Sequence, residues 1–183
     1  MAARTVPTMP DWALNAEITS SLLNQITAYA RFWANPPMFK FFQANVQSLP
    51  NGGPTTIVLD GTASWDTDSG HSGVSPFGYT IPAGMTGRWD LKWGGAFAGN
   101  ATGVRDAELR INGNQPAVGG VGGYNQTASA GTCMVTGTTE LVLNAGDVVT
   151  LVVNQTSGGA LNTNVTGGQT CFVSGRLVSL ASP

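Results

Sequence analysis

Apolar and polar positions along the chain fall into two regimes. In TSSLLNQITAYARFWANPP the apolar residues are Ile18, Leu22, Ile26, Tyr29 and Trp33, spaced four, four, three and four. That spacing lies on one face of an α-helix. Thr19, Ser20 or Ser21 supplies a cap, and the Asn35-Pro36-Pro37 run stops the helix, because a residue before proline is pushed out of the α region. The pattern predicts a helix over residues 20–34, about 22 Å long at 1.5 Å per residue. Residues 1–18 read as irregular, with Pro7 and Pro10 breaking any regular structure. With little else helical nearby, the stripe is expected to seed an oligomer or dock into a larger assembly.

From residue 38 the period changes to two. Residues 38–46, 55–59, 78–83 and 87–99 read as strands, as do 104–111, 131–143, 147–154 and 169–180. In GRWDLKWGGAFAG, Trp89, Leu91, Trp93 and Phe97 alternate with Arg88, Asp90 and Lys92, so one face is buried and the other wet. Both tryptophans are therefore core candidates and not a ligand platform. Asn112-Gly113 has the residues of a tight hairpin turn with positive φ. Eight or so strands with frequent turn residues imply an all-β antiparallel sandwich behind one short N-terminal helix. The run Val148, Val149, Thr150, Leu151, Val152, Val153 is apolar on both faces. A two-layer sandwich wets one face of each strand, so a second copy is the expected cover and these valines and Leu151 the expected oligomer interface.

Composition sharpens this picture. Only 10% of the 183 residues are charged, and 25 are glycine. The surface must be built from Thr, Asn, Ser and backbone, and interface cores are likewise poor in charge. A net charge of −2 without a basic patch argues against nucleic acid and polybasic membrane attachment. No apolar run is long enough to span a bilayer, and MAARTVPTMPDWAL has no apolar core of a signal peptide. Cys133 and Cys171 read as buried free thiols, although spacing leaves a bridge open. The N-x-T triplets at Asn100, Asn125, Asn154 and Asn164 follow from the abundance of both residues.

One stretch looks chemical. Trp65-Asp66-Thr67-Asp68-Ser69-Gly70-His71-Ser72-Gly73 holds two acids and the single histidine. Counted as an EF-hand from Asp66, the fifth ligand position is Gly70 and the twelfth Phe77, so that pattern fails twice. Zinc lacks ligands, and no G-x-S-x-G elbow accompanies Ser69 or Ser72. Gly119 to Gly123 lacks the Lys-Ser/Thr of a phosphate loop. The expected role of Asp66 and Asp68 is to cap the loop's own N–H groups, a weak Ca²⁺ site being the remaining alternative. No catalytic residue and no cofactor is expected.

The strands carry a resemblance. GYTIPAGMTGRWDLKWGGAFAGNATGVRDAELRINGN, then LNAGDVVTLVVNQTSGGALNTN and a terminal FVSGRLVSL, resemble the C1q/TNF-like jelly roll over about residues 38–180. The resemblance implies a homotrimer about a threefold axis, with one sheet facing it and strand 148–153 in that sheet. A Thr-capped helix ending in Asn-Pro-Pro just before such a domain is similar to small virion proteins of tailed phages infecting actinobacteria. There, residues 1–37 would be an attachment arm, with Leu22, Ile26, Tyr29 and Trp33 as anchoring residues, and 38–183 the displayed domain. The implied protein is a non-enzymatic minor tail protein in the virion, bound to itself and to other virion proteins. A capsid decoration or head fibre protein is the alternative, as is a receptor- or glycan-binding module contacting the host through loops 112–128 and 154–168. The collagen-like G-X-Y repeat of animal relatives is missing, which argues against a defence or hormone role.

Overall fold

The structure is a computed structural model and describes residues 5–10, 17–72, 74, 77–116, 126–127 and 130–181. Helix α1 spans Ser20–Ala34, as the spacing predicts. Thr19 Oγ1 accepts the Leu22 N–H at 3.2 Å, and the Asn35 N–H closes the last turn on Arg31 O.

Among the described residues twelve strands follow: β1 (Met38–Phe42), β2 (Ser48–Leu49), β3 (Thr55–Thr56), β4 (Trp65–Asp66), β5 (Tyr79–Thr80) and β6 (Gly87–Phe97), then β7 (Val104–Ile111), β8 (Gln126–Thr127), β9 (Cys133–Leu143), β10 (Val148–Gln155), β11 (Leu161–Asn162) and β12 (Phe172–Leu180). One sheet has the order β4-β1-β12-β6-β9; the other runs β3-β10-β7-β8, with β5 also on β10, and β11-β2 form a small ribbon. All these pairings are antiparallel. The predicted antiparallel sandwich with one helix is the fold observed.

The core lies between the sheets. Phe39, Phe41, Trp89, Leu91, Trp93, Val173 and Leu177 come from the first; Ala107, Leu109, Val149, Leu151 and Val153 from the second. Trp89 and Trp93 are core residues, and their indole N–H groups donate to Met85 O and Ala107 O. Trp93 stands opposite Gly137, where a Cβ would come within 2.3 Å of its ring, so the indole occupies the space a side chain would take.

Three predicted strands are much shorter than their apolar runs. β1 stops at Phe42: the Gln43 N–H still reaches Cys171 O, and Asp60 then gathers the following donors, accepting Ala44 N at 2.7 Å and Asn45 N at 3.3 Å. The 55–59 run pairs as β3 only at its start, and Gln47 Oε1 takes the Val58 N–H at 3.0 Å. Of 78–83, Tyr79 and Thr80 pair before Pro82 intervenes. The Asn112-Gly113 hairpin has the predicted positive φ at both residues, 53° and 78°.

Candidate interaction surfaces

The acidic loop is spoken for by its own backbone. Asp66 Oδ1 accepts the N–H groups of Asp68 and Gly70 at 3.3 and 3.2 Å, and Oδ2 accepts that of His71 at 3.1 Å. Thr67 donates its hydroxyl to Asp68 Oδ2 at 2.6 Å, and Asp68 is buried. Ser69 turns the chain in the left-handed region, at φ 56°. His71 lies against the Phe41 ring at 3.9 Å and 15°, and its Nε2 meets Leu59 O at 3.1 Å, which requires the proton on Nε2. The histidine thus extends the Phe41, Phe39 and Tyr79 stack. The described residues hold no group of three or more His, Cys, Asp or Glu placed for a metal ion. Trp65 and Asp66, expected in a loop, form β4 on the edge of the first sheet.

The five-residue interface set on β10 divides, and this corrects the sequence reading. Val149, Leu151 and Val153 point into the subunit's own core. Val148 and Val152 point the other way, and Val152 is only 3% exposed. Its cross-strand neighbours explain the dryness: Glu108 stands beside it on β7 and Thr56 on β3. β10 is a central strand, so the core covers its inner face and flanking side chains shield Val152 on its outer face without a second copy. The surrounding face is polar, with Asp106, Glu108, Arg110, Thr150 and Asn154. Glu108 pairs with Arg110 at 2.7 Å and also accepts from Gln115. Burial, and then the Glu108 charge, push the Asp106 carboxyl above its usual range, against a smaller opposing effect of the Ala107 N–H.

The outer face of the first sheet is different. Phe42, Phe172 and Gly94 share one register row across β1, β12 and β6, and the Phe172 ring and Met134 terminus close over Gly94. Two rows along lie Arg176, Asp90 and Glu140. Lys40 lies between the Trp65 ring at 5.5 Å and the Phe172 ring at 5.8 Å. Trp65 is 46% exposed, so this face offers apolar and aromatic surface that the subunit leaves open.

The predicted anchoring residues Leu22, Ile26, Tyr29 and Trp33 are each half-buried, and Phe32 alone in the helix is buried. Trp33 packs against the core, so the last turn of α1 meets the sandwich. No helix among the described residues is long and apolar enough to cross a membrane.

Polar pins that the sequence reading missed hold the loops. Gln155 is fully buried; its Nε2 donates to Leu49 O, Pro50 O and Gly159 O, and its Oε1 accepts Ser157 N at 2.7 Å. Arg105 is buried over the Phe97 ring and donates to the carbonyls of Asn100, Thr102 and Val104. Loop 154–168 is thereby fixed on one side, whereas residues 117–125 and 128 of the expected contact loop 112–128 lie outside the described residues. Cys133 and Cys171 are free and buried. Burial pushes the Cys171 thiol up to about 11.

No protein-family model matches the chain, and neither does any curated protein. Solved structures do match. The globular domain of zebrafish complement 1qA superposes with a TM-score of 0.53 at 14% identity, over 80% of this chain and 100% of its own. Eiger TNF from S. frugiperda gives 0.54 at 14%, over 81% and 97%. PRD1 vertex protein P5 gives 0.52 at 13%, over 78% and 97%. The fold is therefore that of the C1q/TNF-like jelly roll. Identity this low establishes the fold alone, since one fold serves many functions.

Proposed function

We propose that this protein is a non-enzymatic structural component of a phage virion: a trimer that attaches through residues 1–37 and displays the jelly roll on the particle surface as a minor tail protein. The observation that supports this reading is the order of the chain, a helix whose apolar stripe its own subunit only half buries, set directly before a fold that recurs in a vertex protein. That vertex protein is also a specific reason to keep capsid attachment as the second reading. Localisation by cryo-EM of the intact particle separates the two.

The outer face of the first sheet is the surface assigned to the trimer. Its apolar patch of Phe42, Phe172 and Met134 gains by burial. The second sheet is a poorer choice, because three copies of Asp106 and Glu108 around one axis would repel. Light scattering on the purified chain should give the mass of three copies, and Phe172→Asp should give one copy. A wild-type monomer at micromolar concentration would overturn the trimer.

A further inference from the structure

From Leu22 onward the helix stripe is spaced four, three, four, through Ile26 and Tyr29 to Trp33. This is the 3.5-residue repeat of a coiled-coil seam, with Leu22 and Tyr29 at d and Ile26 and Trp33 at a. The rest of the helix agrees with that phase. Arg31, its single charged residue, falls at f, farthest from the seam. No e or g position carries a charge, so the flanks hold nothing that would select a foreign helix of opposite sign. Leu23 at e is 51% exposed and Ala30 is the next e residue, which widens the stripe beyond what a two-helix seam covers. Phe32 at g is buried on the sandwich, and Trp33 touches the core, so the seam begins at the sandwich and runs away from it.

We propose that the α1 helices of three copies of this chain pack in parallel along Leu22, Ile26, Tyr29 and Trp33, forming a short stalk joined to the jelly rolls. This rests on the trimeric reading above. Two heptads are too short to associate alone, but tethering by the jelly rolls raises their effective concentration to roughly the millimolar range. The virion partner then meets the outside and the N-terminal end of the stalk, while the seam is used internally.

Disulfide trapping in the full-length chain tests this. Ile26→Cys places a thiol in the seam, and Arg31→Cys places one at the outer position. The native Cys133 and Cys171 are 6% and 0% exposed and stay silent. Under mild oxidation Ile26→Cys should link chains at least about tenfold faster than Arg31→Cys, as its higher local concentration requires. Light scattering on the reduced variants checks that three copies remain associated. A trimer in which Ile26→Cys links no faster than Arg31→Cys overturns the stalk and leaves the trimer standing. A monomer overturns both.

Discussion

Asp66→Ala tests whether the acidic loop is a self-capping turn or a cation site. Asp66 accepts three backbone N–H groups, at 3.1 to 3.3 Å. A hydrogen bond to a charged group contributes roughly 1.5–3 kcal/mol, but these three are long and the site is half-open to water. They also act as a unit, so their losses do not add. The expected cost is therefore about 2–3 kcal/mol in total. For a chain of this size, 1 kcal/mol moves the melting midpoint by roughly 2–4 °C, which gives a drop of about 4–12 °C. The loss spreads inward, because the freed Gly70 and His71 backbone loosens the imidazole from the Phe41 ring it faces at 3.9 Å. Calorimetry at matched chain concentration measures the shift, since an oligomer's midpoint depends on concentration. Millimolar calcium should leave the wild-type midpoint unmoved. A calcium-dependent rise that disappears in Asp66→Ala would refute the capping account, and so would an Asp66→Ala midpoint equal to wild type.

Gly137→Ala should cost roughly 1–3 kcal/mol in urea unfolding, as overpacking does, because its Cβ meets the immobile Trp93 ring; an unchanged midpoint would contradict the packing. The Asp106 carboxyl has its folded pKa raised above the usual 3.8, so the folded state favours its protonated form and the ionised form is a liability at neutral pH. Asp106→Asn should therefore melt higher than wild type at pH 7, with the advantage shrinking as pH falls through the raised pKa toward 3.8; an advantage independent of pH would exclude the carboxyl as its source. Ellman's reagent should label neither thiol in the folded protein and both in denaturant, because the thiolate is the reactive form and burial raises both thiols. Rapid labelling of Cys171 before unfolding would mean that the core around Ala96 opens.

Legibility in the sequence followed the physical range of each interaction. Helix α1 depends on its own spacing, its threonine cap and two prolines, all local, and its limits match the prediction residue for residue. The long strands β6, β7 and β10 were legible because alternation is also local. What was hidden depends on partners distant in sequence. Asp60 ends β1, Gln155 ties residues 49 and 50 to 159, and His71 completes an aromatic stack begun by Phe41. Nothing in the neighbourhood of those residues announces the contact. The β10 error has the same origin. Two apolar faces in sequence implied an external cover, but a central strand is also shielded sideways, by Glu108 and Thr56 in this case. Sheet order decides that, and local pattern does not contain it.

The same point explains why the open surface of the first sheet could not be read from the chain. Lys40, Glu140 and Arg176 are far in sequence from the alternating Arg88, Asp90 and Lys92 of β6, yet register brings all of them onto one face. A chain with only 8 basic residues thus spends four of them there, among two acids. Arg176, Asp90 and Glu140 share a row at one end, Lys40 and Lys92 share the middle row, and Phe42, Phe172 and Met134 occupy the opposite end. Arg88 with Glu140 at 3.5 Å and Lys92 with Asp90 at 3.6 Å neutralise one another locally. A face divided in this way suits association: the apolar end supplies affinity, and the charged end penalises sliding and flipped docking more than it adds strength. It also suits a sheet whose long edge strand β9 would otherwise invite unspecific pairing, because charge on the solvent side of an edge is a common guard against it. Low charge density and its uneven placement are therefore one property. On the trimeric reading, one end of this face is left apolar for burial and the charge at the other end fixes orientation.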